Sequence, residues 1–104
     1  MKNGKIAFTY ITKEDEEKVS LKSGDYDGLV EIGRDIEDVE VSILLREIDD
    51  GFKASLRSND YVNVSEVCSI FSGGGHVRAA GCKLYFPIEQ AKEKIIDRVK
   101  SFLI

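Results

Sequence analysis

Apolar residues recur along this chain with two different periods, and the switches between them divide it into strands and helices. Lys5-Ile6-Ala7-Phe8-Thr9-Tyr10-Ile11 alternates and is rich in β-branched and aromatic side chains, which predicts a strand. Thr12 follows with Asp15 three residues on, a pairing suited to capping a short acidic helix. Between Gly24 and Ile36, Leu29, Val30 and Ile32 fall at helix-like spacing, and Gly33 leaves the helix end open. Val39, Val41, Ile43 and Leu45 then alternate with Glu40, Ser42, Leu44 and Arg46, predicting a strand with one apolar face.

A turn at Asp49-Asp50-Gly51 separates this strand from a second one, Phe52 to Ser58. Asp-Gly between alternating runs is a hairpin signal, because both central positions favour positive φ. With Asp50-Gly51 as the two-residue loop, Asp49 faces Phe52, Arg46 faces Ser55 and Leu44 faces Arg57. Arg46 and Arg57 then lie diagonally on one sheet face, opposite the row Phe52, Ala54 and Leu56. Val64, Val67, Cys68 and Phe71 mark one face of a helix that stops at glycine. Ala79-Ala80-Gly81 reads as a short helical turn leading into a strand from Cys82 to Phe86. Pro87 suits a first helical position, and Ile88, Ala91, Ile95, Val99 and Phe102 form the apolar stripe of a terminal helix.

These elements imply an α/β domain spanning residues 1–104, with a single small mixed β-sheet of about four to five strands and helices packed against it. A chain of 104 residues has room for one core and hardly for two. The 42% apolar and 33% charged composition, with a single proline, excludes disorder. No run approaches the roughly 18 apolar residues of a membrane span. Met1-Lys2-Asn3-Gly4 carries no apolar leader, so a cytoplasmic location is expected. Cys68 and Cys82 lack CxxC spacing and a second histidine, which favours reduced, buried thiols over a zinc or redox site. A net charge of −4 disfavours broad capture of duplex DNA, so a nucleic-acid ligand is expected to be short or held locally.

Gly73, Gly74 and Gly75 followed by His76 form the segment with most chemical content. Bare backbone can approach a phosphate closely with its N–H groups, and a helix starting just after it would add partial positive charge. His76 could donate to the same oxyanion. The same residues also suit a helix stop and tight turn with a surface histidine, and spacing does not separate the two readings. No Lys-Ser/Thr pair follows, so the segment is not a Walker loop.

Gly73-Gly74-Gly75-His76-Val77-Arg78-Ala79-Ala80-Gly81 resembles the GGGHxxAAG signature of the DHH-associated domain type 1, the C-terminal module of DHH-family phosphoesterases. Ala54-Ser55-Leu56-Arg57-Ser58 is similar to that family's strand ending in Arg-Ser, and Val62-Asn63-Val64-Ser65 to the segment opening its next helix. The resemblance spans nearly the whole chain and points to the oligoribonuclease and phosphoadenosine-phosphate phosphatase branch. It implies a domain that closes over the cleft of an N-terminal DHH catalytic domain of the same chain. Gly73, Gly74, Gly75 and His76 would then meet a nucleotide or short oligonucleotide, Arg57 would supply a cationic fork, and Ser55 and Arg46 would assist. Arg78 falls where the signature varies and reads as a solvated charge, while Ser72 stands where relatives often carry a fourth glycine.

The same resemblance implies hydrolysis by manganese or another divalent metal held in the DHH domain, with no cofactor bound by this one. One histidine with scattered acids supplies neither a two-metal site nor a catalytic residue here. Asp49-Asp50 reads as a turn, and Glu14 to Glu17 as a solvated helix face. The chain is therefore expected to be the substrate-binding part of a longer enzyme and inactive alone. Two alternatives stand beside this one: an RNA-binding or association module related to the alanyl-tRNA synthetase C-terminal domain, and a unit that only dimerises or scaffolds.

Overall fold

The computed structural model describes residues 5–19 and 23–103. Met1 to Gly4, expected to lead straight into the first strand, lie outside the described residues. The chain forms β1 (Ile6–Ile11), α1 (Lys13–Val19), α2 (Ser23–Arg34), β2 (Val41–Ile48), β3 (Gly51–Ser58), α3 (Val64–Ser69), β4 (Gly74–His76), β5 (Ala79–Leu84) and α4 (Ile88–Lys100). One five-stranded sheet has the order β1-β2-β3-β5-β4. It is mixed, because β1 returns through two helices to lie parallel to β2 while the other neighbours are antiparallel. Among the described residues no helix is long and apolar enough to cross a membrane.

The strands bury their two faces unequally. Phe52, Ala54, Leu56, Ala80, Cys82 and Leu84 meet Val64, Val67 and Cys68 of α3 and Ala91, Ile95 and Val99 of α4 in the main core. On the opposite face α2 lies over β1 and β2 and reaches β3 at its Arg57–Ser58 end, and Ile11, Val30 and Leu44 form a second, smaller cluster there. A single apolar face was expected for β2, yet Val41 to Leu45 are all buried, because this inner strand carries helices on both sides. Gly33 does not end α2; a Cβ there would come within 2.3 Å of Ser42 Oγ, so the helix lies almost on the strand.

The hairpin register differs from expectation by two residues. Ile48 faces Gly51, Arg46 faces Lys53 and Leu44 faces Ser55, so the two-residue loop is Asp49-Asp50. None of Asp49, Asp50 and Gly51 has positive φ. Gly51 serves close packing instead, since a Cβ there would lie 2.4 Å from the Leu84 carbonyl oxygen. Lys13 pairs with Asp49 and donates its amide to Glu47, which ties α1 to this turn. Thr12 and Asp15 cap α1 reciprocally, backbone to side chain, at 3.0 Å each way. These bonds, the Thr12 amide first, hold the Asp15 carboxyl below its ordinary pKa.

Sequence patterning gave no hint of what Glu40 does. Its side chain is buried and accepts amides from Tyr61 and Val62 at 2.9 Å and from Asp60 at 3.1 Å. Asn59 donates from its side chain to the carbonyls of Arg34 and Val39, at 2.7 and 2.8 Å, closing the same corner. A carboxylate so placed stands in for a missing strand partner of the 60–62 loop. Removing it strands three amides at once, so Glu40→Ala should destabilise the fold by roughly 3–5 kcal/mol and Glu40→Gln by about half as much, read as the shift in urea unfolding midpoint. Midpoints within about 0.5 kcal/mol of the wild type for both variants would contradict this role.

Candidate functional site

The uncovered half of the sheet is built by β3, β5 and β4. Side chains alternate along each strand, and the register brings Lys53, Ser55 and Arg57 of β3 to the same side as Ala79, Gly81 and Lys83 of β5 and Gly74 and His76 of β4. Arg57 lies opposite Ala79, and Ala79 opposite His76, so the guanidinium and the imidazole flank a methyl-sized gap. Ser55, Gly81 and Gly74 make the next row. One cleft contains Ser55, Arg57, Gly74 and His76 together.

Arg57 is held in place. Its Nε donates to Glu31 of α2 at 3.2 Å and its NH1 to the Leu56 carbonyl at 3.0 Å, while Arg34 pairs with the same Glu31. The helix edge thus fixes the guanidinium at the rim of the bare face with part of its charge already balanced.

The glycine segment differs from the expected loop. Gly74 to His76 form an edge strand, Val77 and Arg78 turn, and β5 starts at Ala79, so no helix begins after His76. A helix terminus therefore adds nothing to this site. The Gly73 amide is taken by the Cys68 carbonyl at 3.0 Å and the Ser72 amide by Ser69, a Schellman-type closure of α3. Ser72 carries the left-handed backbone of that closure at φ 63°, a conformation natural to glycine. As an edge strand, β4 directs alternate amides away from the sheet.

The three glycines differ in what they do. A Cβ on Gly73 would sit 2.3 Å from the Gly81 oxygen and 2.5 Å from Cys82 Cβ, and Gly75 combines φ 150° with a 2.7 Å approach to the Ala79 oxygen. Gly74 is different: the nearest atom to its Cβ position is Ser65 Oγ at 3.8 Å. The fold needs Gly73 and Gly75 bare, whereas Gly74 simply leaves space above the bare face.

Two arginines have surroundings other than those expected. Arg46 shares the face of Arg57 but not its neighbourhood, because Arg57 lies opposite Ser42, four residues along β2. That is about 13 Å of strand, and Arg46 instead lines an acidic crevice with Glu16, Glu47 and Asp49. Arg78 is no solvated charge. Its guanidinium donates to the Val62 carbonyl at 2.8 Å and to that of Asp60, and its own carbonyl accepts the Ser58 amide, so it clasps the β4–β5 turn to the loop that Glu40 holds.

Sequence patterning passed over Lys53 and Lys83. The signal was present, since residues 51–58 and 74–84 contain no Asp or Glu in a chain of net charge −4. Local positive potential of this kind suits an oxyanion ligand. The buried thiols Cys68 and Cys82 meet beneath the site; donation to Cys82, then burial, pushes the Cys68 pKa up and disfavours a thiolate. Among the described residues no three His, Cys, Asp or Glu side chains are placed to hold a metal ion.

Residues 3–104 match the family described as the DHHA1 domain. The chain is 37% identical over 82 residues to the bifunctional oligoribonuclease and PAP phosphatase NrnA of Thermus thermophilus, covering 78% of this chain and 24% of that protein. A crystal structure of an exopolyphosphatase-related protein from Bacteroides fragilis superposes with TM-score 0.87 at 31% identity, over 98% of this chain and 30% of that one. The C-Ala domain of Aquifex aeolicus alanyl-tRNA synthetase has TM-score 0.58 at 18% identity, over 86% and 89% of the two chains, a likeness of fold alone. The chain thus spans about a quarter to a third of the length of the first two relatives.

Gly74→Ala should leave stability within about 0.5 kcal/mol or raise it slightly through the unfolded state, whereas Gly73→Ala and Gly75→Ala should each cost roughly 2 kcal/mol or more. Ser72→Gly should stabilise by a few tenths to about 1 kcal/mol by relieving the left-handed backbone. Chemical denaturation of the four variants checks the ranking, and equal losses at all three glycines would contradict it.

Proposed function

Because the chain belongs to the DHHA1 domain family, we propose that its uncovered sheet face holds a phosphate-bearing nucleotide or short nucleic acid, as the substrate-binding part of a metal-dependent phosphoesterase. The observation that carries this reading is the convergence of Arg57, Ser55, Gly74 and His76 in one cleft on a face whose strands contain no acid. Arg57, tethered through Nε and NH1, brings guanidinium charge to the rim of the cleft where a phosphate would lie. His76 and Ser55 add donors, the exposed edge of β4 adds main-chain N–H groups, and Gly74 lets the ligand approach the backbone.

Hydrolysis is assigned to a DHH catalytic domain beyond these residues, whose divalent metal, manganese in this reading, would activate water for attack on the phosphate ester. Among the described residues no group of side chains is placed to hold a metal ion, and in this reading the domain's part is to position the ligand and stabilise its charge. Similarity to NrnA favours short ribonucleotides or a bisphosphorylated nucleotide over long polymers, and so does the net charge of −4. An RNA-binding or association module remains the second reading, on the strength of the fold likeness to the C-Ala domain.

Calorimetric titration with 5′-phosphorylated short ribonucleotides should give weak binding that His76→Ala and Arg57→Ala each reduce about tenfold, a loss of roughly 1.4 kcal/mol apiece. Arg46→Ala, four residues along β2 from the position opposite Arg57, should reduce affinity less than either. Unaltered affinity in both the His76 and Arg57 variants would remove the proposed roles. With manganese added the chain should show no phosphoesterase turnover, and clear hydrolysis by the pure chain would contradict the assignment of catalysis elsewhere.

A further inference from the structure

Two lysines stand directly opposite each other on the bare face. Lys53 of β3 pairs with Lys83 of β5, and both are exposed. Like charges at directly opposed positions of an antiparallel pair repel, with Cβ atoms only about 5 Å apart. Among the described residues neither lysine takes part in an ion pair. Arg46 lies across from Lys53 on β2, yet it borders the crevice that contains Glu16, Glu47 and Asp49. The lysine pair has no comparable acidic neighbour on β3, β5 or β4.

Its surroundings suggest what would balance the charge. A cleft of about 460 Å³ contains both lysines with Phe71, Ser72 and Tyr85, and the Tyr85 ring is 60% exposed. This cleft shares Lys53, Gly74 and Gly81 with the one containing Arg57 and His76, so the two form a continuous groove. Four residues of β3, about 13 Å, separate Lys53 from Arg57, and Arg57 is tethered to Glu31 at the far end. The groove therefore presents two separate centres of positive charge, with an aromatic wall beside one of them.

We infer that Lys53 and Lys83 form a second phosphate subsite, which takes the next phosphate of a short nucleotide chain whose first phosphate lies at Arg57 and His76, with a base against Tyr85. This inference rests on the function proposed for the Arg57 and His76 cleft. An anion between the ammonium groups removes their repulsion, and an aromatic ring accepts any base by stacking, so the subsite selects for length and little for sequence. Ligands of two nucleotides are then preferred to mononucleotides.

The test compares a nucleoside 5′-monophosphate with a 5′-phosphorylated dinucleotide on the wild type, on the double variant Lys53→Gln/Lys83→Gln, and on His76→Ala. The wild type should bind the dinucleotide about tenfold more tightly. The double lysine variant should lose that advantage, its dinucleotide affinity falling several-fold more than its mononucleotide affinity, and unfold at a urea midpoint no lower than the wild type. His76→Ala should weaken both ligands. Equal wild-type affinities for the two ligands, or equal loss of both in the lysine variant, would overturn the second subsite and leave the first intact. Failure of the wild type to bind the mononucleotide, or indifference of both ligands to His76→Ala, would instead overturn the reading beneath it.

Discussion

The uneven covering of one sheet governs this molecule. Two helices, α3 and α4, seal one face along its breadth, while on the other α2 lies over β1 and β2 and reaches β3 at its Arg57 end. Strands β3 and β5 must therefore be strongly apolar on one side and free of large apolar groups on the other. Leu56 and Leu84 are fully buried, while Lys53, Ser55, Ala79, Gly81 and Lys83 face outward. The bare face is a consequence of where the helices stop, and the candidate chemistry lies on it.

Holding that face in register takes main-chain contacts that hydrophobic patterning does not reveal. Gly73 and Gly75 let the edge strand lie against β5 at distances no side chain would allow. Glu40, Asn59 and Arg78 lock the loop between β3 and α3, and the turn before β5, through hydrogen bonds to backbone groups. Such bonds are strong because a buried amide or carbonyl without a partner is costly. The position of His76 beside Arg57 follows from these constraints as much as from the strand pairing.

Much of this was legible in the sequence. Alternation placed β1, β2 and β3, helical spacing placed α3 and α4, and the glycine-histidine segment marked where the bare face ends. The misreadings share a physical cause. The Asp-Gly pair suggested a turn with positive φ, whereas Gly51 is small because Leu84 passes over it. Glycines before His76 suggested a loop, whereas a three-residue edge strand leaves too short a pattern to register as alternation. Glu40 and Arg78 looked like surface charges, since nothing local to them announces partners 16 to 22 residues away. Lys53 and Lys83 become neighbours only through strand pairing.

Ligand contact, in this reading, belongs to the uncovered strands. Backbone amide chemical shifts followed during titration with a 5′-phosphorylated ribodinucleotide address it most directly. The largest changes should fall on Lys53, Ser55, Gly74, His76 and Gly81, with the outer surface of α4 unmoved. Changes centred on α4 or on the crevice between Glu16 and Asp49, with the three strands silent, would contradict this reading.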